Sequence, residues 1–191
     1  TWRSRCSTGV FRGSHIYNDL EDLPIDKDDG IEFFGGAVNP KYLIALHSED
    51  DAVDFADGFS GTIDYVFIKD VAKAGVEGSN NGDNGAATPT TNATLKNFTI
   101  LKGSLAGSEH GMFLKEGTGK WNCQNIYIDG FTKGLKIKNT TEDPNANSNV
   151  DNGNVTFNPI YFGATVTTNS RTSAIGSSDS CHWSVWITNF F

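Results

Sequence analysis

The chain has little methionine, proline, cysteine or positive charge. One Met and five Pro stand in 191 residues. No apolar run approaches the roughly 18 residues that a membrane-crossing helix needs, so no transmembrane span is expected. Lys and Arg total 15 against 23 Asp and Glu, a net charge of −8. A phosphate backbone rewards basic patches, so nucleic acid is not the expected partner. Cys6, Cys123 and Cys181 are far apart and form no CxxC pair, which excludes familiar zinc spacings. One disulfide with a free thiol and three free thiols both remain open. Helix formers are few, whereas 21 Gly and 13 Phe accompany abundant Asn and Thr, which disfavours a helix bundle. The length suits one domain with a sizeable core. The chain starts at Thr1 without an initiator Met and reads as a processed protein or an excised piece. Its composition points to a secreted or cell-surface protein.

What the chain does have is a repeat. An acidic or Gly-led turn followed by apolar–x–apolar recurs as Asp28-Asp29-Gly30-Ile31-Glu32-Phe33 and Asp50-Asp51-Ala52-Val53-Asp54-Phe55. It returns as Gly75-Val76-Glu77-Gly78, Gly111-Met112-Phe113-Leu114 and Gly134-Leu135-Lys136-Ile137. The lead apolar positions are 31, 53, 76, 112 and 135, at steps of 22, 23, 36 and 23 residues. The long step contains the polar stretch 79–91; without those 13 residues it too is 23. A second apolar strand lies between successive motifs: 42–46, 63–68, 95–101 and 125–128, each rich in β-branched and aromatic residues and bounded by turn formers. A period near 22 with two or three strands and no helix predicts an all-β, right-handed parallel β-helix. Residues 25–191 are expected to form it, with 79–91 as an inserted loop. Residues 1–24 are expected to be an irregular N-terminal or capping segment, because 1–12 align with no coil. The Asn-rich stretch 139–154 reads as a surface loop.

Stacking at about 4.8 Å per coil turns this repeat into geometry. Ile31, Val53, Val76, Met112 and Leu135 form one inward ladder. Phe33, Phe55, Leu114 and Ile137 form the next, with Gly78 leaving a gap. Alternation then sends Glu32, Asp54, Glu77, Phe113 and Lys136 outward in one column.

The run 28–39, Asp-Asp-Gly-Ile-Glu-Phe-Phe-Gly-Gly-Ala-Val-Asn, the coil at 49–61, the Ala74–Asn80 segment and the ending 183–190 resemble a known family. Its members are secreted or lipid-anchored bacterial surface proteins with right-handed parallel β-helix repeats, found in Bacteroidota and some marine bacteria. The resemblance implies the fold and surface location and supplies no catalytic mechanism.

Three groups of residues are candidate sites. Glu32, Asp54 and Glu77 stack as carboxylates about 5 Å apart, a spacing used for acid and nucleophile in glycoside hydrolysis; the alternative is a solvated acidic face. Asp28, Asp29, Asp50 and Asp51 stack at the turns, where calcium would relieve their repulsion; the alternative is capping of backbone N–H groups, without any cofactor. Phe113, Trp121 and Tyr127 are candidate ligand-binding aromatics for a sugar-stacking groove. The leading expectation is a non-catalytic surface module that binds glycan or another surface polymer, or acts as an adhesive spacer. The alternatives are a polysaccharide hydrolase or lyase using the acidic column, and a structural subunit of a larger assembly joined through an exposed coil edge.

Overall fold

The computed structural model describes residues 2–4, 12–17, 29–107, 110–138, 146–167 and 169. The chain winds as a right-handed parallel β-helix with two long sheets. Strands β1 (Trp2–Ser4), β3 (Ile31–Phe34), β5 (Val53–Ala56), β7 (Ala74–Gly78), β9 (His110–Leu114) and β11 (Lys133–Ile137) stack in that order in the first sheet. The second sheet stacks β2 (Arg12–Tyr17), β4 (Lys41–Ser48), β6 (Thr62–Val71), β8 (Asn92–Leu101), β10 (Lys120–Asp129) and β12 (Val155–Phe157), with β13 (Ile160–Phe162) also on β10. Every pairing is parallel, and each strand pairs with the equivalent strand one coil away.

Register confirms the repeat arithmetic. Ile31 lies beside Val53, Val53 beside Val76, Val76 beside Met112, and Met112 beside Leu135. All five are buried, as are Phe33, Phe55, Leu114 and Ile137 of the second ladder. The second sheet faces this core with Leu43, Val66, Phe98 and Ile126 in one row, and with Ala45, Ile68, Ile100 and Ile128 in another.

The gap at Gly78 is filled by aromatic rings. A Cβ at this position would meet Trp121 Cζ2 at 2.4 Å and Phe55 Cζ at 2.6 Å. Those two rings pack with centroids 4.6 Å apart, and the Trp121 Nε1–H donates to the Thr118 carbonyl at 2.7 Å. Removing one side chain from the ladder thus makes room for a larger one from β10.

Three expectations change. Residues 2–4 and 12–17 lie in the segment expected to be irregular, yet β1 is in register with β3 and β2 with β4. Their sequences hid this because they lack the apolar–x–apolar signature. Part of the Asn-rich stretch forms a short helix, α1 (Ala146–Asp151), because Ala146 and Val150, four residues apart, both turn into the core. Trp121 is 1% exposed and belongs to the core, so it is not a surface ligand-binding residue. The inserted loop is pinned at both ends: Asn80 donates to the Gly85 and Ala87 carbonyls and accepts from the Thr91 amide. Cys123 is a free thiol buried in β10; Cys6 and Cys181 lie outside the described residues.

Gly78→Ala is expected to destabilise the chain by about 1–3 kcal/mol, the usual effect of forcing extra volume into a packed core. Urea unfolding of the two proteins measures it; an unchanged midpoint would mean that the ring packing has room to yield.

Candidate functional site

The two acidic groups read separately from the sequence form one cluster. Glu32, Asp54 and Glu77 are in register on β3, β5 and β7, followed by Phe113 on β9 and Lys136 on β11. The turn acids enter the same cluster through Asp29. Carboxylate oxygens of Asp29, Glu32 and Asp54 lie within 4.8 Å of one another, and so do those of Asp29, Asp50 and Asp51. Among the described residues these are the two triplets close enough to share a cation; Asp28 lies outside them.

The cluster is not the solvated face that outward alternation suggested. Asp29, Glu32, Asp51 and Glu77 are each buried, and Asp54 is partly buried. Burial of so many acids requires partners or protons. The turn acids have partners one coil away: Asp29 Oδ1 accepts the Asp51 amide at 3.0 Å, and Asp51 Oδ1 accepts the Ala74 amide at 2.6 Å. Capping occurs, but between coils rather than within one turn. Two lysines bound the cluster. Lys73 Nζ sits 2.6 Å from Asp50, and Lys115 pairs with Glu77. Burial lowers the proton affinity of Lys115, but its bond to Glu77 prevails and holds it above the ordinary lysine range.

Three of the acids are also shifted toward their protonated forms. Burial, against the pull of the Asp51 amide, pushes Asp29 up to about 7. Burial and the neighbouring Glu77 push Asp51 up to about 9. The same two causes raise Asp54 well above the ordinary aspartate range. Asp54 differs from the turn acids in its surroundings: its buried Oδ1 has no hydrogen-bond partner among the described residues. The structural bonds that explain Asp29 and Asp51 do not explain it.

The aromatic candidates do not converge. Phe113 lies on the first sheet, partly buried, with the His110 ring 5.3 Å away and Lys136 Nζ 4.4 Å above its face. Tyr127 is on β10 of the second sheet, its hydroxyl donating to Asp129 at 3.2 Å. Trp121 is inside. Sequence reading missed Lys73 and Lys115, since neither belongs to a ladder motif. Lys115 directly follows the ladder residue Leu114, and that placement was the available signal.

The raised acids give a signed pH dependence. An unfolded chain releases these protons near pH 4, while the folded chain keeps them to about 7 on Asp29 and about 9 on Asp51. The folded state therefore binds more protons in that window, and stability falls as pH rises through it. The melting temperature is expected to drop by several degrees from about pH 5 to about pH 9. Asp51→Asn keeps an acceptor for the Ala74 amide but cannot ionise, so it should flatten the curve. Melts that are level or rise with pH would contradict the protonated cluster.

Residues 24–186 match the family model described as a pectate-lyase-like β-helix domain. No curated protein matches the chain. No solved structure matches it. The matched span covers most of the chain and every coil from β3 to β13, and it agrees with the parallel two-sheet winding. A domain of this kind fits a polysaccharide-related module. The chain belongs to the family of pectate-lyase-like β-helix domains.

Proposed function

We propose that this is a secreted or surface-exposed module that cleaves glycosidic bonds in a polysaccharide at the acidic cluster of β3, β5 and β7. The observation that carries this reading is Asp54, a partly buried acid raised by burial and by Glu77, whose buried Oδ1 has no hydrogen-bond partner among the described residues. A desolvated acid with raised proton affinity beside a second carboxylate is a candidate acid–base site. Asp54 supplies the proton. Glu32, at the same register position one coil away, supplies the nucleophile. Oxygens of the two lie within 4.8 Å, close to the roughly 5–5.5 Å separation of retaining glycosidases.

In the first step Asp54 protonates the glycosidic oxygen as the bond to the leaving sugar breaks, and Glu32 bonds to the anomeric carbon. In the second, ionised Asp54 takes a proton from water, the water oxygen attacks the anomeric carbon, and Glu32 is released. Glu77, paired with Lys115, lies beside Asp54 and raises its proton affinity. In this reading Asp29 and Asp51 are clamps between coils rather than calcium ligands, since each already gives an oxygen to a backbone amide and Lys73 covers Asp50.

A second reading, a non-catalytic glycan-binding or spacer module, draws support from those same clamps, which give much of the cluster a structural reason to exist. Reducing-end release from neutral and acidic polysaccharides separates the two. Asp54→Asn is expected to lower turnover by about 10²–10⁴-fold while polysaccharide binding persists. Binding by the native chain without any reducing-end release would overturn the catalytic reading and leave the binding module.

A further inference from the structure

The second sheet carries a different column of unusual residues. Tyr42 on β4, Tyr65 on β6, Asn97 on β8 and Asn125 on β10 occupy one position in four successive coils, as the flanking pairs Lys41–Asp64, Asp64–Lys96 and Lys96–Gln124 show. All four residues are left-handed, with φ of 60°, 57°, 55° and 55°. Asn tolerates this conformation, whereas a bulky aromatic residue is an outlier there. The position thus suits Asn, and two neighbouring coils carry Tyr instead.

Burial does not repay that strain. Tyr42 is 56% exposed and Tyr65 42%, the two exposed large hydrophobic residues among those described. Their rings stack on each other, centroids 5.2 Å apart and planes 19° from parallel. In β2 the position beside Tyr42 is Gly13, between the Arg12–Lys41 and Ser14–Leu43 pairs.

Polar groups run beside the rings as a rail. Asn125 donates to Asn97 Oδ1 at 2.8 Å, Asn97 donates to Asp64 Oδ1 at 2.8 Å, and Lys41 lies 3.4 Å from Asp64. Each amide nitrogen has a second hydrogen to offer. Lys41 pairs with Asp64, and Lys96 stands next to Asp64 in the following coil.

We infer that the Tyr42–Tyr65 stack is a sugar-binding platform, distinct from the acidic cluster, that holds a neutral pyranose unit of a polysaccharide. The C–H face of the sugar lies on the aromatic surface, and its hydroxyls bond to the amides and carboxylate of the rail. A neutral sugar is favoured because the rail's amide groups, which bond hydroxyls, carry no charge. This inference rests on the polysaccharide reading but not on Asp54 chemistry.

The test is affinity electrophoresis of the full chain in gels containing xylan, mixed-linkage β-glucan or galactomannan, with polygalacturonate as the charged comparator. Native chain should be retarded by at least one neutral polymer. Tyr42→Asn with Tyr65→Asn installs the residue that the same position carries in the next two coils, so the variant should fold with an equal or higher melting temperature, yet lose affinity at least tenfold. Tyr42→Phe with Tyr65→Phe keeps the rings and should keep the retardation. Asp54→Asn should also remain retarded, so loss of the catalytic reading leaves this one standing. Equal retardation of the double Asn variant and native chain would overturn the platform alone. Retardation of native chain only by polygalacturonate, or a pair of rings that sedimentation shows to hold a second copy of the chain, would overturn it as well. No retardation in any gel, together with no reducing-end release, would overturn the polysaccharide reading itself.

Discussion

Everything in this molecule follows from the fixed register between coils. Parallel backbone hydrogen bonds hold each strand about 4.8 Å from its equivalent in the next coil. A side chain therefore has its own counterparts as nearest neighbours above and below. Like stacks on like whether or not the pairing is favourable. Apolar residues gain from this constraint, and Ile31, Val53, Val76, Met112 and Leu135 form a continuous buried column. The same constraint compresses acids and lines up left-handed backbone positions, and there the fold needs compensation.

The compensation is visible residue by residue. At the turns, carboxylates reach the amides of the following coil, which converts Asp29 and Asp51 into fasteners between layers. At the edges of the cluster, Lys73 and Lys115 supply positive charge. Protons make up the remainder, because burial and mutual repulsion disfavour the ionised forms of Asp29, Asp51 and Asp54. Asp54 is the member whose buried Oδ1 is left without a partner among the described residues, and uncompensated local rules are where function is to be sought. Tyr42 and Tyr65 break a local rule of another kind on the opposite sheet, at a left-handed strand position that Asn fills in the next two coils.

Much of this was legible in the sequence because a solenoid repeats its signal. The 22–23-residue step located β3, β5, β7, β9 and β11, separated the 79–91 insertion, and placed Glu32, Asp54 and Glu77 in one column. Contacts that join different positions of the repeat were not legible. Asp29 meets Glu32 and Asp54 across the bend of a turn, which no linear period encodes. Trp121 looked like a surface aromatic until the hole at Gly78 gave it an inward place, a fit between two separate strands. Strands β1 and β2 escaped notice because backbone pairing, rather than an apolar pattern, marks them. The tyrosine column was hidden for the opposite reason: its unusual feature is backbone conformation, which tyrosine does not advertise.

The most direct measurement is a carboxyl-carbon NMR titration of Asp54, with Asp54→Asn identifying the resonance. Stacking between Glu32 and Glu77 in a desolvated ladder should keep its proton well above the ordinary aspartate value of about 3.9, with the midpoint falling when Glu77→Gln removes the neighbouring charge. A midpoint near that ordinary value, unmoved by Glu77→Gln, would contradict both the compressed acidic ladder and the role assigned to Asp54.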